Sequence, residues 1–348
     1  ADLAPRLEGL ARRTSPFADL PREIARDARF VTPELVAQAS FAEFTADGHV
    51  RHAVFRGLRE DKPAKEVRRE TPDRGGETMR DEVAGVRLTH PDKLLWKGQG
   101  VSKADLAGHY ERAAGRMIPL IAGRPLSLVR CPEGRARSCF YQKHAGKGFP
   151  KAMGRVAIAE KDGGSEDYMH ADDLAALVAG VQMGTLEYHV WGARTDDLER
   201  PDRLVIDLDP GPGVDFAEVR AAAREVRGLL ADLDLASLAM ITGGKGIHVV
   251  VPLVRRAGWE AAGDFARGLA KAMARAAPER FVSTAAKSRR EGRIYVDWLR
   301  NRRGATAVAP WSTRAREGCP VATPVAWDEL DALAGANVVS LDAAAERL

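Results

Sequence analysis

The chain has 348 residues, 45% hydrophobic and 29% charged, with a net charge of +4 and a pI near 9.0. That length suits two domains with a sizeable core, and the composition excludes a disordered chain. No apolar run approaches the roughly 18 residues of a membrane helix, and the mild basicity is compatible with a nucleic-acid partner without requiring one.

Ala1-Asp2-Leu3-Ala4-Pro5 has neither a starting Met nor a signal pattern, so an excerpt of a longer, cytoplasmic protein is expected. Val36 to Phe44 alternates like a strand, Asp47-Gly48 marks a hairpin turn, and His49 to Phe55 returns. From Lys62 to Ala84, Pro, Gly and charges of both signs replace apolar periodicity, the signature of a linker. Cys131, Cys139 and Cys319 form no C-x-x-C and cannot all pair, so neither a disulfide nor a zinc framework is expected.

A second unit opens at Val86. Its first helix has Ser102 as N-cap, Asp105 at the capping-box position, and Leu106, Tyr110, Ala113, Met117 and Leu120 on one face. Lys93 and Lys103 flank that helix start. There an anion would meet both lysines and the helix N-terminus, although such lysines are also ordinary solvent-facing residues. Leu126 to Cys131 is a strand. After a polar turn, Phe140 and Tyr141 offer either a base-stacking platform or one core ring beside a half-exposed one. Asp172 to Leu186 has the pattern of an amphipathic helix that runs up to Glu187-Tyr188-His189-Val190-Trp191.

Arg203 to Pro210 is a strand that enters a Pro-Gly-Pro-Gly turn. Alternation puts Val205, Asp207 and Asp209 on one face, with the two carboxylates about 6–7 Å apart along the strand. Such acids either repel in solvent at a strand end or bind hard divalent cations. Asp215 and Glu218 then open a helix over Phe216, Val219, Ala223, Val226, Leu230 and Leu233. Strands Leu238 to Thr242 and Ile247 to Pro252 flank Gly243-Gly244-Lys245-Gly246. This is no P-loop, because Gly follows the lysine and a strand follows the loop; it is either a phosphate cradle or a plain hairpin turn. His248 is either a hydrogen-bonded structural residue or a catalytic one. Trp259 to Met273 is a helix. A basic run (Lys287, Arg289, Arg290, Arg293) leads into Ile294 to Leu299, where Asp297 shares a face with Tyr295. An acid in so apolar a strand must be paired or metal-bound, which makes Asp297 the third carboxylate. Arg300, Arg302 and Arg303 form a cationic rim, Arg314 stands in a later turn, and Trp327 to Ala334 and Asp342 to Leu348 close the chain as helices.

Two resemblances organise these features. Arg59, Asp61 and Lys62 fill an R-x-D-K pattern similar to the last nucleotidyltransferase motif of the OB-fold domain of ATP-dependent DNA ligases. The K-x-D-G nucleophile motif is absent, so no ligase reaction is expected from this chain alone. The set L-x-I-D-L-D-P, T-G-G-K-G-I-H-V and I-Y-V-D-W-L-R-N, with L-T-H-P-D-K and S-C-F-Y-Q-K-H before it, resembles the polymerase domain of bacterial ligase D. That domain belongs to the archaeo-eukaryotic primase superfamily and serves non-homologous end joining.

The resemblance implies an α+β fold, an RRM-like antiparallel palm packed by helices and preceded by a partial β (OB-fold) segment. The implied boundaries are 1–62, a 63–85 linker, and 86–348. It assigns Asp207, Asp209 and Asp297 to two Mn²⁺ or Mg²⁺ ions. His189, Thr242, Gly243, Gly244, Lys245, His248 and Arg314 fall to the incoming NTP or dNTP. Lys93 and Lys103 take the 5′-phosphate across a gap, and Phe140 and Tyr141 stack on bases. Thr242 stands where serine is usual, which leaves ribose selectivity open. The implied function is template-dependent, ribonucleotide-preferring nucleotide addition at gapped or broken DNA, by two-metal catalysis. Implied partners are Ku and the ligase and phosphoesterase modules of the parent chain, in the bacterial nucleoid and without a membrane. The alternatives are a non-catalytic DNA-end-binding module, a metal-dependent phosphohydrolase, and a replicative primase.

Overall fold

A computed structural model describes residues 3–16, 26, 28–40, 43–44, 50–51, 54–59, 64, 81–146, 148–160 and 163–348. The chain forms two compact units, Ala1–Glu77 and Thr78–Leu348. In the first, a short helix, Leu3–Glu8, precedes antiparallel strand pairs. Val36–Ser40 pairs with Val54–Arg59, and Phe44 lies opposite Val50. The strands flanking the expected hairpin are therefore in register. Its Asp47-Gly48 turn lies outside the described residues, as do Asp61 and Lys62 of the ligase-like motif.

The second unit starts earlier than composition suggested. Glu82–Val83 and Val86–Arg87 pair through a turn at Ala84 and Gly85, both with positive φ. Val83 and Leu88 are buried in the core. Residues 81–85 are thus hairpin rather than linker: the tight turn brings two apolar side chains inward despite the surrounding charge.

Ten strands build two sheets: β1 (Leu126–Arg130), β2 (Phe140–Gln142), β3 (Thr185–Trp191), β4 (Arg203–Pro210), β5 (Leu238–Ile241), β6 (Ile247–Pro252), β7 (Phe281–Val282), β8 (Ile294–Asp297), β9 (Thr306–Val308) and β10 (Thr323–Val325). The larger sheet has the order β7-β8-β4-β6-β5-β10 and the smaller β2-β1-β3-β9. All neighbours are antiparallel except β7 and β8. Five helices pack around them: α1 (Lys103–Ile121), α2 (Leu174–Gln182), α3 (Phe216–Ala231), α4 (Trp259–Ala276) and α5 (Leu341–Arg347). None of the helices among the described residues is long and apolar enough to cross a membrane.

Helix α3 packs on β4 and β6, and α4 on β4 and β7. Leu204, Ile206, Leu208, Val249 and Val251 share one core with Val219, Val226, Ala266 and Met273. Alternation therefore turns Asp207 of β4 to the opposite face. Both α1 and α3 begin with a closed capping box, Ser102–Asp105 and Asp215–Glu218, each worth about 1 kcal/mol.

Four details depart from expectation. Leu120 is 40% exposed while Ile121 is buried, because the stripe steps by four after Met117. Helix α2 ends at Gln182, since Gly184 takes φ 79° and the chain turns there into β3, so Leu186 is a strand residue. Leu233 is exposed, beyond the end of α3. Cys131 and Cys139 are disulfide-bonded. Arg130 pairs with Phe140 across β1 and β2, so antiparallel register sets the two cysteines opposite each other, which eight residues of spacing alone did not disclose.

Candidate active site

The site sits on the face of the larger sheet away from its helices. Register puts Asp207 between two neighbours, Asp297 of β8 on one side and His248 of β6 on the other. Asp209, two residues on, lies opposite Tyr295. One ligand oxygen from each of Asp207, Asp209 and Asp297 falls within 4.8 Å of the others. Asp207 and Asp297 are buried and Asp209 half-buried.

Burying three acids together is costly without counter-charge. Arg300 supplies part of it: its Nε lies 3.0 Å from Asp207 Oδ2 and 3.3 Å from Asp297 Oδ2. Tyr295 Oη donates to Asp297 Oδ1 at 2.9 Å. Burial disfavours the charge of Asp207, but His248 and Arg300 outweigh it and lower its pKa. Burial and the charge of Asp207 raise that of Asp209. Asp207 Oδ1 is buried and faces His248 Nε2 at 3.5 Å, with no closer hydrogen bond among the described residues. Three hard carboxylate donors within 4.8 Å of one another, one of them with an oxygen free of any close hydrogen bond among the described residues, fit one or two divalent cations.

Around the acids opens a cleft of about 500 Å³. It brings together Tyr141, His189, Thr242, Gly244, Lys245, His248 and Arg314, with Arg290, Arg300 and Arg316 adding positive charge. Cations beside a carboxylate cluster suit a polyanion delivered with metal ions. The glycine loop is built for close approach: a Cβ on Gly246 would sit 2.4 Å from Leu208 O, and Gly243 has φ 64°. Its amides are less free than its composition suggested. Gly243 N–H donates to Ala336 O and Gly244 N–H to Thr242 Oγ1. The Thr242 hydroxyl in turn donates to Gly246 O at 2.9 Å, so it braces the loop.

His189 belongs to β3 of the smaller sheet and is buried. Its Nε2 lies 2.8 Å from Glu187 Oε2, and its ring meets Tyr141 edge-on at 6.0 Å. Arg314 Nε donates to the same Glu187 oxygen at 2.9 Å, and its Nη1 to Thr242 O. Phe140 and Tyr141 are 46% and 74% exposed, so neither ring is core; as neighbours on β2 they point to opposite faces, and Tyr141 lines the cleft.

Lys93 and Lys103 also meet. Lys103 N–H donates to Lys93 O at 2.9 Å. The Lys103 side chain is buried, with Nζ donating to Thr89 O at 2.6 Å, and burial and Lys93 lower its pKa. Lys93 Nζ pairs with Glu133 at 3.1 Å. The start of α1 itself is closed to an anion, because the amides of Lys103, Ala104 and Asp105 already donate within the protein.

Glu187 and Arg316 were not legible as site residues, and Arg300 and Tyr295 were legible only as rim charge and as a neighbour on the face of Asp297. Glu187 is two residues from His189, hence on its face, and that spacing was the available signal.

Residues 102–348 match the family described as "LigD, primase-polymerase domain". The chain belongs to this LigD family. Residues 1–62 match the "ATP dependent DNA ligase C terminal region". The "Multifunctional non-homologous end joining protein LigD" of Pseudomonas aeruginosa is 42% identical over 99% of this chain, which spans 42% of that relative's length. The LigD of Mycolicibacterium smegmatis is 37% identical over 70% of this chain and 32% of its own. The solved "Polymerase Domain from Mycobacterium tuberculosis Ligase D in complex with DNA" superposes with a TM-score of 0.70 at 34% identity, covering 75% of this chain and 93% of that one. The α+β fold expected from the sequence, antiparallel sheets packed by helices, is the fold of this LigD domain.

Proposed function

We propose that the second unit is a template-dependent nucleotidyltransferase that fills gaps and extends DNA ends in non-homologous end joining, with a preference for ribonucleotides. The observation that carries this reading is the cross-strand set Asp207, Asp209 and Asp297 opening on a cleft with Lys245, Arg290, Arg300, Arg314 and Arg316. The relatives named for end joining and the DNA-bound neighbour support it.

The three aspartates would hold Mn²⁺ or Mg²⁺, which when bound supplies Lewis acidity at the attacking 3′-hydroxyl and neutralises the leaving pyrophosphate. Lys245, Arg314 and Arg316 bind the triphosphate as fixed cations, and the braced Thr242–Gly246 turn keeps Lys245 at its rim. His189 and His248 flank the nucleotide. Tyr141 and Phe140 stack on bases at the template side. Lys93 and Lys103 receive the 5′-phosphate beyond the gap; for this Lys93 exchanges its exposed partner Glu133, a pair of little strength, for the phosphate. The first 62 residues are the tail of a ligase OB domain, and ligase and phosphoesterase modules and Ku act with this chain on broken ends.

Extension of a primer on one-nucleotide gapped DNA, with and without the 5′-phosphate and with ribo- or deoxynucleotide, tests the reading. Faster ribonucleotide addition when the 5′-phosphate is present, lost in Lys103→Ala, is expected. Tight DNA binding with no addition by the wild type would make the unit a DNA-end-binding module instead.

A further inference from the structure

Two residues assigned to the nucleotide, His189 and Arg314, come from different segments, yet both point at one side chain. Glu187 lies on β3, buried to 5% exposure. Its Oε2 receives His189 Nε2 at 2.8 Å and Arg314 Nε at 2.9 Å. Its Oε1 accepts from the Ala315 amide at 2.8 Å. Arg314 passes the connection on to Thr242 O at the glycine loop. A single carboxylate therefore joins the smaller sheet, the Arg314 turn and the loop of the larger sheet.

We propose that Glu187 is the positioning residue of the nucleotide site, fixing the tautomer of His189 and the direction of the Arg314 guanidinium. This inference rests on the polymerase reading above. Burial disfavours its charge, but the His189 hydrogen bond and Arg314 outweigh that and hold its pKa at about 2. Glu187 is therefore an acceptor only, and the proton of the shared hydrogen bond belongs to His189 Nε2. Burial lowers the pKa of His189 despite Glu187, and with Nε2 committed to Glu187 the nitrogen left for the ligand is Nδ1. Arg314 is aimed by its Nε and one terminal nitrogen, which leaves the other terminal nitrogen for ligand. Neither Asp207, Asp209 nor Asp297 touches Glu187 among the hydrogen bonds of the described residues, so metal binding and nucleotide positioning are separable.

Gln at 187 keeps the size but has one acceptor oxygen and an NH₂ with two donors, so it cannot accept from all three donors or hold the Nε2–H tautomer of His189. The test is steady-state nucleotide addition by E187Q and E187D on gapped DNA, with DNA affinity and ¹⁵N spectra of His189 read in parallel. Loss of a hydrogen bond to a charged group predicts a nucleotide KM raised roughly ten- to hundredfold in E187Q, with kcat changed by less than about threefold. DNA affinity stays at the wild-type value, E187D recovers part of the loss, and the Nε2–H signature of His189 disappears in E187Q. In an R314A background, E187Q adds little further loss, because both act through one network. A wild-type KM in E187Q, additive losses in the double variant, or losses of DNA affinity matching those in KM would overturn the proposal. Inactive wild-type protein would instead remove the polymerase reading on which it stands.

Discussion

At the level of single residues, contacts too close for a side chain define the site as firmly as its charges do. Gly246 has Leu208 O where its Cβ would go, at 2.4 Å. Gly246→Ala must therefore shift the loop or β4, and a stability loss of about 1–3 kcal/mol in urea unfolding is expected, with a raised KM for nucleotide. Unchanged values in both would mean that the loop yields without cost. The acids were legible because chemistry forces the choice: Asp297 between Val296 and Trp298 has no inexpensive bland explanation. Arg300 was legible as charge but not as partner, since only the register of β8 against β4 brings it to Asp207 and Asp297. The cysteine pair was hidden for the same reason.

At the level of elements, local signals located some segments well and missed others. Strand β4 was legible from alternation and its Pro-Gly-Pro-Gly exit, and α1 and α3 from their caps. Asp215→Ala removes one such cap 's side-chain acceptor from Glu218 N; about 1 kcal/mol of stability should go while nucleotide KM holds. A changed KM would show that α3 positions the site more directly than its packing suggests. Strand β3 was concealed because all seven of its residues are buried, so no alternation marks it, and its apolar content merged with the helix before Gly184. The two residues it contributes, Glu187 and His189, share a face only if the segment is read as a strand, so their spacing of two carried the signal without declaring it.

For the whole molecule, acid and metal act on the same balance of buried charge. Glu187 is depressed from 4.5 to about 2, so its stabilisation is complete above about 4.5 and is lost as pH falls toward 2. His109, fully buried with its Nε2 2.8 Å from Trp311 O, is lowered from 6.5 to about 4, chiefly by burial. The unfolded chain therefore takes up that proton first, and stability falls as pH drops from 6.5 to 4. Asp209, raised from 3.8 to about 6, takes up a proton in the folded chain over the upper window and offsets part of the His109 loss. The His109 contribution is therefore read as the difference in melting temperature between wild type and H109Q from pH 6.5 to 4, and that of Glu187 as the difference between wild type and E187Q from pH 4.5 to 2. No pH-dependent difference between wild type and H109Q would contradict the burial of His109. Saturating Mn²⁺ binds only the folded arrangement of acids, so it should raise the melting temperature by several degrees, and Asp209→Asn should abolish most of that rise.

The most direct measurement is single-turnover nucleotide addition at a one-nucleotide gap with Mn²⁺, comparing wild type with Asp207→Asn at matched DNA occupancy. The cross-strand carboxylate site predicts metal-dependent addition by the wild type and a rate at least about a hundredfold lower in the variant, with DNA affinity unchanged. Equal rates would contradict it, and Asp207 would then be a structural acid.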